Sequence, residues 1–167
     1  MKQAKTIAAR SATLLLALLP LAACAQDIVR HKLPNSDFPI AQAVTIPPNA
    51  TIHFISGQVP PVVNKAADPN SLAAFGDTRA QTVGVLNRIK EILAGMGLGM
   101  GDVVKMQVFL VGDPARSGRA AVGGVLEGYT QFFGGAQPNL PARAVVQVAA
   151  LSNPGWLVEI EVVAAKK

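Results

Sequence analysis

The segment PNLPARAVVQ at 138–147 and the final apolar run WLVEIEVVA at 156–164 decide how the rest of the chain is read. Both alternate side chains as a strand does, and each carries a charge that an apolar strand has no need of: Arg143 in the first, Glu159 in the second. A guanidinium is a planar fork that holds a carboxylate through two parallel hydrogen bonds. A carboxylate on a neighbouring strand is placed to position or deprotonate a water. Together the two residues outline a small site for an anionic substrate. The plainer alternative is an Arg143–Glu159 ion pair at a sheet edge, since such pairs are common on strands.

Upstream of these strands, 119–133 reads as a helix with Val122, Val125, Leu126, Tyr129, Phe132 and Phe133 on one face, although Gly123, Gly124 and Gly128 weaken it intrinsically. The run 102–111 (DVVKMQVFLV) alternates as a strand, with 112–118 as a turn. Asp77 is placed to cap a helix over 78–96, where Thr82, Val85, Leu86, Ile89, Leu93 and Met96 recur at helical spacing. The glycines at 95, 97, 99 and 101 end that helix. Their spacing fails the dinucleotide-binding fingerprint, because Met100 and Asp102 occupy the final-glycine positions and the run follows a helix rather than a strand. Earlier in the chain, 27–33 is a first strand candidate, 34–39 a turn-rich connector, and 41–46 and 51–56 two strands that read as a hairpin. The second of these, TIHFIS, has the composition of a buried strand. The stretch 59–75 is a long loop. The order strand, strand, strand, helix, strand, helix, strand, strand predicts an α+β domain, with two helices packed on one face of a mixed sheet. Two helices cover one face only, so self-association is expected to cover the other.

The chain has 167 residues, half of them apolar, which suits one domain with a substantial core. Residues 1–25 read as an export signal, with a basic start, an apolar stretch over 12–19 and a small-residue cleavage region. Residues 26–167 are then the single mature domain. Setting aside Lys2, Lys5 and Arg10 lowers the formal charge from +5 to about +2, and no Lys/Arg run with interleaved aromatics remains to suggest nucleic acid. Leu21-Ala22-Ala23-Cys24 has the form of a bacterial lipobox, with Cys24 as the lipidation site; Ala23-Cys24-Ala25 also fits ordinary signal cleavage. The expected location is the periplasm or, as a lipoprotein, the outer membrane of a Gram-negative bacterium. Cys24 is the only cysteine, so the domain has neither a disulfide nor a thiolate nucleophile. His31 and His53 lack metal-ligand spacing, and no phosphate loop or haem motif is present. Neither a metal nor a cofactor is expected.

Five motifs run in order along the chain: Ile55-Ser56-Gly57-Gln58-Val59-Pro60; Gly97-Leu98-Gly99-Met100-Gly101-Asp102-Val103-Val104-Lys105; Tyr129-Thr130-Gln131-Phe132-Phe133; Pro141-Ala142-Arg143; and Val158-Glu159-Ile160-Glu161. On these the chain from about residue 27 onward resembles the Rid (RidA/YjgF) family of reactive-intermediate deaminases, also described as endoribonuclease L-PSP-like. The resemblance implies a chorismate-mutase-like fold with a six-stranded sheet, and a homotrimer with ligand clefts between subunits. It also implies hydrolysis of enamine or imine acids such as 2-aminoacrylate to the 2-keto acid and ammonia. By the same resemblance Arg143 clamps the substrate carboxylate and Glu159 serves the attacking water, while Ser56, Gly57, Tyr129 and Val145 line the pocket. Three positions depart from the family pattern: Ile40 stands where it has a tyrosine, Val145 where it has a cysteine, and Leu126 where it has an asparagine. The expected pocket is therefore more apolar. A non-catalytic trimer that binds small carboxylates through Arg143 is the alternative from another class. The ribonuclease activity implied by the L-PSP name is disfavoured by the near-neutral mature charge and the export signal.

Overall fold

The computed structural model describes residues 27–167. The expected export segment and Cys24 lie outside the described residues. The elements are β1 (Val29–Lys32), β2 (Ala41–Thr45), β3 (Thr51–Gln58), α1 (Thr78–Gly95), β4 (Val103–Val111), α2 (Val122–Tyr129), β5 (Ala142–Val148) and β6 (Val158–Lys166). The strands form one mixed sheet in the order β1-β2-β5-β4-β6-β3, and both helices lie against one face of it, as the element order predicts.

α1 begins where Asp77 Oδ1 accepts from the Ala80 amide at 2.8 Å, a cap that contributes about 1 kcal/mol. Its apolar stripe buries Val85, Leu86, Ile89 and Leu93 completely. These pack on Met106, Val108 and Leu110 of β4 and Val158, Ile160 and Val162 of β6. Met96, expected on the same stripe, lies beyond the last turn and is 46% exposed. The strand residues between the buried ones, Lys105, Gln107, Glu159 and Glu161, point to the opposite face, which no helix covers.

α2 is shorter than its periodicity predicts, eight residues instead of the span 119–133, and Val122 is half-exposed at its start. Its glycines explain both its weakness and its position. A Cβ at Gly128 would come within 2.8 Å of Thr82 on α1, so the small residue is what lets the two helices approach closely. Tyr129 and the following Phe133 are buried and stack at 4.8 Å between ring centres.

The expected β2–β3 hairpin does not form. β2 pairs antiparallel with β1 and meets β5 in parallel at Ala41, whereas β3 pairs antiparallel with β6 at the far edge of the sheet. The register with β6 places Ile55 opposite Val162 on the core face, a burial that a hairpin with the short β2 would not supply. Because it lies at the edge, β3 is not the buried strand its composition suggests, and Phe54 is 83% exposed on the uncovered face.

Candidate active site

β5 and β6 are not neighbours. β4 lies between them, with Arg143 in register with Met106 on one side and Glu159 with Phe109 on the other. Met106 faces the helices and Phe109 faces away, so the two charged residues project from opposite faces of the sheet. Two strand spacings and three residues of offset put them roughly 14 Å apart in one chain. Within one chain they form neither the joint site nor the ion pair that their strands suggested.

Around Arg143 the sequence builds a fixed aromatic seat. The guanidinium carbon lies 4.2 Å from the centre of the Tyr129 ring and 5.5 Å from that of Phe38, distances at which the ring quadrupole attracts a cation. The Tyr129 hydroxyl donates to the Pro39 carbonyl at 2.7 Å, so the only tyrosine of the chain ties α2 to the connector ahead of β2. Burial pushes the Tyr129 phenol well above its ordinary range, and the Arg143 charge offsets only part of this. Burial also pulls the Arg143 guanidinium down from its usual value, with Tyr129 opposing; a guanidinium nonetheless stays cationic at neutral pH. Arg143 Nη1 is buried without a hydrogen-bond partner. Among the described residues the ion pairs Arg79–Glu127 and Lys167–Asp27 do not involve Arg143, and no carboxylate is paired with its guanidinium.

Of the other expected pocket residues, Val145 lies two residues along β5 on the same side as Arg143, and Leu126 lies one helical turn before Tyr129; both are partly buried against the core. Ile40 directly follows Pro39, the acceptor of the Tyr129 hydroxyl. All three of these positions therefore belong to the Arg143 end. Tyr129, expected among the pocket residues, stands against the guanidinium with its ring, and its hydroxyl is engaged by the Pro39 carbonyl. Phe38, 44% exposed, was not singled out by the sequence. Its only signal was an aromatic residue just before Pro39 in a connector otherwise made of turn formers.

Glu159 sits at the other end with Gly57 and Ser56. A Cβ at Gly57 would fall on the Glu159 carboxylate, so glycine here is the condition for that side chain's position beside the β3 bulge. The adjoining groove on the uncovered face has a volume of about 280 Å³ and is bordered by Phe54, Ser56, Lys105, Gln107 and Glu161. Glu161, the second glutamate of the strand, is thus the one that lines the groove. Among the described residues no group of three or more His, Cys, Asp or Glu side chains is placed to hold a metal ion.

Comparison with known proteins matches residues 34–166 to the family described as Endoribonuclease L-PSP. The chain is 37% identical over 134 residues to protein DfrA of Myxococcus xanthus, covering 78% of this chain and 88% of that one. It is 30% identical over 144 residues to the 2-iminobutanoate/2-iminopropanoate deaminase of Salmonella typhimurium, covering 85% and 98%. Among solved structures it resembles Escherichia coli TdcF with bound serine, with a TM-score of 0.55 and 29% identity over 85% of this chain and 99% of that one. Two helices on one face of a six-stranded mixed sheet, and a matched span from the connector ahead of β2 to the end of β6, make this chain a member of the endoribonuclease L-PSP (YjgF/RidA) family.

Proposed function

We propose that this protein hydrolyses reactive imine or enamine acids to 2-keto acids and ammonia. The observation that carries this reading is Arg143: a cation seated on an aromatic ring, with no carboxylate among the described residues paired with it. A substrate carboxylate supplies the missing partner through charge-assisted hydrogen bonds. Relatives named as deaminases of reactive intermediates and of 2-iminobutanoate support the same chemistry.

An imine carbon is already electrophilic, so catalysis needs mainly a held substrate and a placed water. With the carboxylate held at Arg143, Glu159 takes a proton from the water as its oxygen bonds to the imine carbon. The C=N pair moves to nitrogen, which gains that proton. Collapse of the carbinolamine then passes its hydroxyl proton to nitrogen as the C=O forms and the C–N bond breaks, releasing ammonia and leaving the 2-keto acid. Because Arg143 and Glu159 lie on opposite faces about three residues out of register, one chain cannot bring both to one substrate. We infer that the site forms between copies, Arg143 from one and Glu159 from the next. The exposed apolar residues Ile52 and Phe54 on the uncovered face favour such an assembly, for which a homotrimer is the proposed form. The basic and apolar leader at 1–25 supports a site of action in the cell envelope.

The test is complementation. Arg143→Ala and Glu159→Gln chains, each inactive alone, are unfolded, mixed in equal amounts and refolded, and ammonia release is followed. A site shared by two copies regains about a quarter of wild-type activity, because one site in four draws both intact residues. A site within one chain regains none. Carboxylate binding by wild type without any turnover would instead favour the non-catalytic carboxylate binder.

A further inference from the structure

The ring of Phe38 is the feature of the Arg143 site that neither the family motifs nor the catalytic scheme uses. It is held in place from several sides. Ile40 N donates to Phe38 O at 2.8 Å, the Pro39 carbonyl accepts from Tyr129 at 2.7 Å, and Ala41 N donates to Pro141 O at 3.0 Å. The Phe38 amide itself donates to Ser36 Oγ at 3.2 Å. The connector therefore presents the ring from a braced backbone, 5.5 Å from the guanidinium carbon and 44% exposed. A large aromatic left half-open beside a cation has apolar surface still to cover.

Resting on the deaminase reading above, we propose that Phe38 determines specificity, selecting 2-imino acids with branched or aromatic apolar side chains over the three- and four-carbon acids for which the Salmonella relative is named. In a 2-imino acid the side chain leaves the same carbon that bears the carboxylate. A carboxylate held on Arg143 therefore keeps the first side-chain atom two bonds from the carboxylate carbon, beside the guanidinium and within reach of Phe38. The neighbouring positions are Ile40, Leu126 and Val145, none of which carries a polar side-chain group, and the Tyr129 hydroxyl is taken by Pro39. A polar side chain would lose water there without a replacement partner, whereas each buried methylene strengthens binding on the order of fourfold.

The experiment compares the full chain with Phe38→Ala and Phe38→Leu, measuring kcat/KM for imino acids generated in situ from alanine, leucine and phenylalanine. Wild type is expected to prefer the leucine- and phenylalanine-derived imines. Phe38→Ala should lose about tenfold or more on these relative to its loss on the alanine-derived one, and Phe38→Leu should keep most of the preference for the leucine-derived imine. An equal loss on all three substrates, or an unchanged ranking, overturns the assignment. Calorimetric binding of pyruvate, of the leucine-derived 2-keto acid and of phenylpyruvate to the same three proteins separates the two readings. If no imine is turned over, the deaminase reading fails by itself. A Phe38-dependent ranking of the keto acids then still upholds selection of apolar carboxylates, and a flat ranking overturns it.

Discussion

The Arg143 end and the Glu159 end of the sheet are built by opposite means. Arg143 lies on the covered face, over a buried tyrosine that is stacked on Phe133 and hydrogen-bonded to Pro39, so its position is fixed by the core of its own chain. Glu159 lies on the uncovered face beside a glycine at a strand irregularity, bordered by solvent and by an exposed apolar edge strand. A binding group is thus organised before any partner arrives, while a water-placing group on an open face waits for something to enclose it. Water must be excluded before a carboxylate acts on one chosen molecule of it.

The largest effect expected to sharpen this contrast is that of Glu159→Gln. Loss of the base should lower kcat by roughly 10²- to 10⁴-fold and leave KM little changed, as steady-state ammonia release will show. A large rise in KM instead would assign Glu159 to binding. Arg143→Lys keeps the charge but loses the fork, so kcat/KM should fall about 10²-fold, mostly through KM; an unchanged KM would remove the clamp from Arg143. Gly57→Ala should cost about tenfold in kcat by displacing the Glu159 carboxylate. The flexible glutamate can give way, so the melting temperature should hold within a few degrees, and a collapse in Tm would instead make Gly57 a folding residue.

The smallest effect is on the covered side. Tyr129→Phe removes the hydrogen bond to Pro39 and should reduce stability by about 1 kcal/mol in denaturant titration at neutral pH. The phenol pKa is raised in the folded protein, so its contribution is complete below the ordinary tyrosine value of about 10 and is lost as pH climbs past it toward the folded value. Wild type should therefore lose stability on the alkaline side more steeply than Tyr129→Phe. As the chain has a single tyrosine, its ultraviolet titration reads this group directly, and a phenolate appearing at the ordinary pH would mean that the ring is not buried beneath Arg143.

Much of this was legible in one dimension because the signals were local. The 3.6-residue stripe and Asp77 marked α1, alternation marked β4 to β6, and the PAR and IEIE-like motifs marked Arg143 and Glu159. Periodicity also assigned Val, Ile and Ala to both sides of the last strands, and hence a face left without helices. What alternation could not supply was pairing. TIHFIS at 51–56 lies close in sequence to β2 yet pairs with β6, more than a hundred residues away, because only there does Ile55 reach the core opposite Val162. β4 enters between β5 and β6 for a similar reason: the α2 crossover sets β4 and β5 side by side in parallel. This one insertion decides that Arg143 and Glu159 part company.

The chain's local pattern settles which residues carry charge into apolar strands, where α1 starts, and to which family the motifs belong. Each of these depends on residue type and short spacing alone. The tertiary structure decided which strands are neighbours, which face each charged residue occupies, and that Phe38 and Tyr129 share the guanidinium of Arg143. Those outcomes follow from long-range packing, in which three segments distant along the chain meet because the core they bury together is larger than any that neighbours in sequence could form.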